Sequence, residues 1–364
     1  MVQDDFPLRL TNERVWRTYL GGALLDALHG KKDGEDGHFP EEWILSVVRA
    51  INTDRGGKEE GLSKLASDAS VSLKELIEKD PGAYLGERHA AEFHGQTGVL
   101  IKLIDSAERL TVQVHPDREK AMALFHSPYG KTECWHILGG RRIDGRDPCV
   151  YLGFREGVTR EKWKALFDAQ DFEGMLGCMH RFEVRRGDTV LIEGGIPHAI
   201  GAGCFLAEIQ EPTDYTIRVE RTTPSGFRID DLMCHQGLGF DRMFDCFHYE
   251  GLSREEVYDR WFIRPRVLEE QQGGEIVSLV GYRDSPFFKM DLLKAHRELA
   301  VPLKPVFSGL YILSGKGTLS ANGREEPVSA GEQFFLPSRT NRFVLRSSPE
   351  APMEALHCFG PKCD

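Results

Sequence analysis

The chain reads as a mainly β protein made of two related modules with helical insertions, and three features of its 364 residues predict this. At 41.1 kDa it exceeds one ordinary domain, so two modules or one duplicated fold are expected. Runs such as Leu110-Thr111-Val112-Gln113-Val114-His115 alternate apolar and polar residues with the period of a half-buried strand. A glycine-punctuated β-rich stretch at 308–346, containing Gly315-Lys316-Gly317 and then Ala330-Gly331-Glu332-Gln333-Phe334-Phe335-Leu336-Pro337, parallels Arg186–Ile192 as an internal repeat. The modules are expected at 1–245 and 246–364, with a helical insertion near 156–182 in the first.

Taken in chain order, residues 59–79 carry helical spacing at Leu73, Leu76 and Ile77 behind a Ser72 cap. The strand at 110–117 ends at Pro116, which cannot donate to a ladder and restricts the residue before it, so His115 sits at the rim. A glycine turn at Gly130 introduces the aromatic and β-branched run at 133–138, where alternation puts Glu133 and Trp135 on one face and Cys134 on the other. Thr159 opens a helix running through Leu166, with Glu161 and Lys162 in its first turn. Gly194, Gly195 and Pro197 make a tight turn that seats His198 among small apolar residues. Ser253 begins a short capped helix through Val257, and Glu269–Gly274 reads as a linker. In the repeat, Pro337 is followed by Ser338, Arg339 and Thr340 rather than histidine, which predicts a second module without metal.

Gln113, His115, Glu133 and His198 are the residues that carry chemistry. Imidazole and carboxylate are ordinary zinc ligands, and a glutamine carbonyl is a weaker neutral donor. Zn²⁺ held by these four keeps a formal charge of about +1 and can act as a Lewis acid, which a Cys₄ structural site cannot. A lone histidine beside a proline is more often a packed residue; four such side chains in these settings point to one divalent cation. Two rival classes fit part of the pattern. An Fe(II) oxygenase uses two histidines and one carboxylate, and a non-catalytic binding module could retain the same pocket.

The segments Thr-Val-Gln-Val-His-Pro-Asp at 111–117, Gly-Lys-Thr-Glu-Cys-Trp at 130–135, Arg-Gly-Asp-Thr-Val-Leu-Ile-Glu-Gly-Gly-Ile-Pro-His-Ala-Ile-Gly at 186–201 and Ala-Glu-Ile-Gln-Glu-Pro-Thr-Asp-Tyr-Thr-Ile-Arg-Val at 207–219 closely resemble the type I mannose-6-phosphate isomerases. That family is zinc-dependent and has a double-cupin fold, and the likeness is closest to its shorter bacterial members. The resemblance implies zinc on Gln113, His115, Glu133 and His198, with Arg218 as the active-site arginine and Lys131 and Glu208 lining the pocket. It also implies a sugar-phosphate substrate, with mannose-6-phosphate and fructose-6-phosphate interconverted through an enediolate. Arg218 would stabilise charge near C1 and C2, and Glu208 or Lys131 would relay the proton. Cupin strands are joined by short turns, so the segment at 156–182 becomes an insertion that either covers the site or packs outside it. Towards the N-terminus, Val15-Trp16-Arg17-Thr18-Tyr19-Leu20-Gly21-Gly22 resembles the family's Trp-Gly-Gly start with residues inserted after the tryptophan, and Glu42-Trp43-Ile44-Leu45-Ser46, preceded by Glu41, its Glu-x-Trp-x-x-Ser element. After Arg218 the chain runs Val219 to Pro224 without the lysine of the longer members, which leaves the phosphate anchor unassigned.

A formal charge of −11 argues against nucleic acid as a partner and requires local cations for an anionic sugar phosphate. No stretch approaches a membrane span, and the start Met-Val-Gln-Asp-Asp-Phe-Pro lacks the order of a signal peptide, so a cytoplasmic enzyme is expected. The eight scattered cysteines have no C-x-x-C pair and read as reduced thiols. His136, His29, His38, His89 and His94 have no partner at metal spacing and read as packing or loop residues.

Overall fold

The structure, a computed structural model, describes residues 6–52, 55, 60–348 and 350–363. Met1–Asp5, which entered the leader reading, and Glu59, at the head of the 59–79 stretch, lie outside them. Four antiparallel sheets stack as layers and form two sandwiches side by side, the double-barrel arrangement that the resemblance implied. In the first, a seven-stranded sheet carrying Glu133–Gly140, Cys204–Gln210, Leu100–Asp105 and Glu41–Ile44 faces a five-stranded sheet carrying His198–Ile200, Gln113–Val114 and Ile217–Arg218. Trp135, Ile137, Leu206, Val150, Leu152 and Ile200 fill the space between them.

Alternation along each strand decides what goes where. In Leu100–Asp105, Ile101 and Leu103 point away from this interior and join Cys134, Ile209, Val277 and Leu356 in the core shared with the second module. Cys134 is therefore packing, as expected. The second sandwich closes a nine-stranded sheet on a four-stranded one around Leu293, Leu310, Phe334, Leu319, Phe343 and Leu345.

Two segments cross the division expected at residue 245. The strand Leu8–Leu10 pairs with Gln333–Leu336 in the nine-stranded sheet, while Phe262–Ile263 pairs with Thr189–Ile192 in the first sandwich. Val257 and Trp261 are buried with the first module's interior.

The helices at 73–79, 160–169 and 254–261 form behind Ser72, Thr159 and Ser253, each of which accepts a hydrogen bond from the third residue of its helix. Ser72 and Ser253 complete capping boxes with Glu75 and Glu256. Residues ahead of Ser72 are extended, in Lys64–Leu65 and Asp68–Ser72. The insertion contains Arg160–Ala169 and Phe172–Gly177, followed by the strand Met179–Glu183. Trp163, Phe167 and Met175 bury themselves against Val112, Val114, Ala199 and Ile217 on the outer face of the five-stranded sheet. The insertion thus braces the sheet from behind and does not cover the pocket.

Glu269–Gly274 is not a linker. It forms the end of Arg266–Gln271 and a turn into Gly274–Val280, a hairpin at the edge of the nine-stranded sheet. Its composition misled because an edge strand exposed on both faces has no hydrophobic alternation to display.

Two buried histidines outside the site make acid stability testable. Burial pushes His357 down to about 3 and His136 to about 4, and both hydrogen-bond hydroxyls, of Ser308 and Thr189. Each stays neutral in the fold and takes a proton on unfolding, so the stability tied to it is complete above pH 6.5 and declines as pH falls towards the folded value. Denaturant titrations of metal-free protein should show a loss of about 1.4 kcal/mol per pH unit for each histidine below pH 6.5. His357→Gln should flatten that slope.

Candidate metal centre and its pocket

The two sheets of the first sandwich each deliver part of one polar cluster. On the five-stranded sheet, Gln113 is paired with His198 on one side and Arg218 on the other, so the three side chains stand abreast. On the seven-stranded sheet, Glu208 lies between Trp135 and Lys102, and Glu133 sits one pleat along from Trp135. The strand Gln113–Val114 stops at His115, whose ring turns into the same space.

His115, Glu133 and His198 form the one group of three candidate metal ligands among the described residues. The His115 and His198 Nε2 atoms are 3.2 Å apart, and they lie 3.2 and 3.4 Å from the two carboxylate oxygens of Glu133. All three side chains are fully buried or nearly so. Each imidazole donates its Nδ1–H to a backbone carbonyl, His115 to Tyr215 and His198 to Ile196, both at 2.8 Å. That leaves both Nε2 lone pairs directed at the carboxylate and at each other. Burial, aided by the Lys131 ammonium, pushes His115 down to about 3, and burial also lowers His198. Burial works against ionisation of Glu133, but the Lys131 ammonium holds its carboxyl well below the usual range. Neither carboxylate oxygen receives a hydrogen bond among the described residues.

Two lone pairs and an anion converge here in a dry space, and the Lys131 ammonium reaches only His115 Nε2 and one Glu133 oxygen, leaving His198 Nε2 and the other oxygen facing each other without a cation between them. The donor set therefore fits a divalent metal. Gln113 stands beside it, with its amide nitrogen 3.3 Å from His198 Nε2, and a flip of the amide would turn its oxygen to that side. Backbone carbonyls fixing the Nδ1 tautomer are the outer support that metal-bound histidines ordinarily have.

A narrow pocket opens beside this cluster, lined among others by Gln113, Lys131, Glu208 and Arg218. Lys131 places its ammonium 3.1 Å from His115 Nε2 and 3.4 Å from Glu133, and burial lowers its pKa. Glu208 accepts from Trp135 at 3.0 Å and pairs with Lys102 at 3.0 Å, and burial followed by repulsion from Glu133 raises its pKa. Arg218 is half-buried and makes no ion pair among the described residues, donating instead to the carbonyls of Met233 at 2.8 Å and Thr216 at 3.3 Å. The surface pairing that its neighbours Asp214 and Glu220 suggest does not form. Glu220 binds Arg109 through two hydrogen bonds, and Asp214 faces Arg17.

Four charged residues of this pocket were not singled out from sequence: Arg17, Glu41, Lys102 and Asp214. Arg17 and Tyr19 both donate to Glu41 at 2.9 Å, and Lys102 reaches the same carboxylate at 4.0 Å. Glu41 is held down to about 2 because Arg17 and Lys102 outweigh its burial. A usable signal existed for Lys102, a lone cation inside the apolar run Leu100–Asp105. Arg17 and Tyr19 lie in the inserted stretch after Trp16, which thus forms one wall of the pocket.

The family model described as phosphomannose isomerase type I, catalytic domain, matches residues 57–131. The mannose-6-phosphate isomerase ManA of Bacillus subtilis is 31% identical over 255 residues, covering 69% of this chain and 73% of that protein. The mannose-6-phosphate isomerase of Streptococcus mutans is 27% identical, over 66% of this chain and 68% of that one. Among solved structures, a mannose 6-phosphate isomerase from Bacillus subtilis superposes with a TM-score of 0.71 at 21% identity, over 96% of this chain and 99% of that chain. A zinc-bound mannose 6-phosphate isomerase superposes with a TM-score of 0.70 at 15% identity, over 98% of this chain and all of that one. At such identities these structures bear on the fold.

Proposed function

The chain belongs to the type I mannose-6-phosphate isomerase family, and on that premise we propose that it interconverts mannose-6-phosphate and fructose-6-phosphate as a zinc-dependent enzyme. The observation that carries this reading is the convergence of the donor atoms of His115, Glu133 and His198, with Gln113 beside them, on one buried point that suits a divalent cation. Zinc bound there supplies Lewis acidity towards the sugar's carbonyl and hydroxyl oxygens.

The protein's own groups do the rest. In the open-chain sugar a proton leaves C2 and returns to C1, and negative charge develops on the two oxygens of the enediolate. Arg218, held by two backbone carbonyls and free of a carboxylate partner among the described residues, has a guanidinium available for that charge. Glu208 or Lys131 carries the proton. Burial raises the one and lowers the other, so both move towards the pH range in which proton transfer in each direction is efficient. Lys102 and Trp135 keep Glu208 oriented.

Charge supports an anionic substrate. The chain carries −11 overall, yet the pocket is lined by four cations, Arg17, Lys102, Lys131 and Arg218, against three carboxylates, Glu41, Glu208 and Asp214. A divalent ion over Glu133 adds a further net positive charge, which suits a sugar phosphate. We place the enzyme in the cytoplasm, where eight cysteines without a disulfide among them stay reduced. No helix among the described residues is long and apolar enough to cross a membrane.

A coupled assay for fructose-6-phosphate formed from mannose-6-phosphate, run beside elemental analysis of the purified protein, tests the proposal. Turnover that a chelator abolishes and zinc restores is the expected result. Iron with oxygen uptake, or zinc with no isomerisation, would overturn it.

A further inference from the structure

The loops that present His115 and His198 are joined by a residue belonging to neither. Gly195, in the turn before His198, donates its N–H to the carbonyl of His115 at 2.7 Å and accepts at its own carbonyl from the N–H of His248 at 2.9 Å. The His248 side chain then reaches the other loop, its Nε2 2.7 Å from Oδ2 of Asp117, two residues beyond His115. Packing is equally close. Gly195 has φ +89°, and a Cβ on it would lie 2.5 Å from the His248 ring, while a Cβ on Gly194 would lie 2.5 Å from Cα of Asp117. Asp117 is itself fixed, since its other oxygen caps the helix Arg118–Phe125 by accepting from the Lys120 N–H at 2.7 Å. The His248 side chain is 43% exposed, so the hydrophobic core does not require it.

We infer that His248 is a positioning residue for the metal centre: it buckles the turn leading to His198 against the turn leaving His115, and so holds the two imidazoles convergent before a cation arrives. The inference rests on the metal assignment above. Its physical content is preorganisation. The two ligand loops come from sequence positions 83 residues apart; the Gln113–His198 strand pairing and the Gly195–His115 hydrogen bond already join them. The His248 side chain adds a second tie beyond the strand ends that narrows their relative motion and so tightens the hold on the ion.

The test compares wild type, His248→Ala and His248→Gln, the last retaining an N–H able to reach Asp117. Each protein is loaded with zinc, and release into excess chromophoric chelator is timed. Melting temperature is measured with and without zinc. His248→Ala should release zinc about ten to a hundred times faster, the scale typical of lost outer support. It should also show a smaller zinc-dependent rise in melting temperature over a nearly unchanged metal-free value, with His248→Gln recovering much of both. Should His248→Ala fold poorly, Asp117→Asn, which keeps the helix cap but not the charged acceptor, should quicken release in the same direction. Wild-type release rates in all variants overturn the inference alone, as do equal losses of stability in metal-free and loaded protein, which mark a simple brace. A wild type that takes up no zinc overturns the metal assignment and this inference with it.

Discussion

Glu133→Gln is expected to leave a folded protein that no longer retains zinc through gel filtration and whose isomerase turnover falls by about a thousandfold or more, since Lewis-acid stabilisation is worth several kcal/mol. Glu133 supplies the only negative charge among the four donors, and its oxygens lie 3.2 and 3.4 Å from the two imidazole nitrogens. With a neutral amide in its place the site offers a divalent ion only dipoles in a buried space, which does not offset the cost of dehydrating the ion. Mass spectrometry of metal content alongside the coupled assay checks both halves. Retained zinc with full activity would show that the cluster is not the metal centre.

Arg218→Ala should behave oppositely with respect to the metal. Zinc content stays at the wild-type level, because Arg218 stands beside Gln113 on the sheet without touching His115, Glu133 or His198 by any hydrogen bond. Turnover should drop by about a hundred- to a thousandfold, the scale of removing one preorganised donor to a developing oxyanion. The loss should appear in kcat as well as kcat/KM, since the interaction strengthens as charge develops. Arg218 also donates to Met233 in the helix Asp231–His235, so some stability is lost, about 1–3 kcal/mol for a charged donor removed from a backbone acceptor. Measuring metal content and melting temperature on the same sample separates that cost from the catalytic one. Unchanged kcat would remove Arg218 from the chemistry.

Much of the candidate metal centre was legible because its residues are positioned by local rules. Pro116 ends a strand, Gly194, Gly195 and Pro197 make a turn, and alternation decides that Glu133 shares the Trp135 face while Cys134 does not. Helix caps at Ser72, Thr159 and Ser253 were readable for the same reason, as each is satisfied within three residues. The edge hairpin at 266–280 was missed because an exposed strand has no apolar period to betray it.

By itself, then, the sequence determined the β character, the repeat, the helix starts and which side chains share a face of a strand, all properties of a chain segment and its immediate neighbours. Only the tertiary structure decided that Arg17 would meet Asp214 across 197 residues, that Glu41 and Lys102 would support Glu208, and that the strand Leu8–Leu10 would serve the second sandwich. Strand pairing is the reason. Backbone hydrogen bonds are identical for every partner, so the choice of neighbour is made by how whole sheets bury their apolar faces against one another, and no local pattern records that choice.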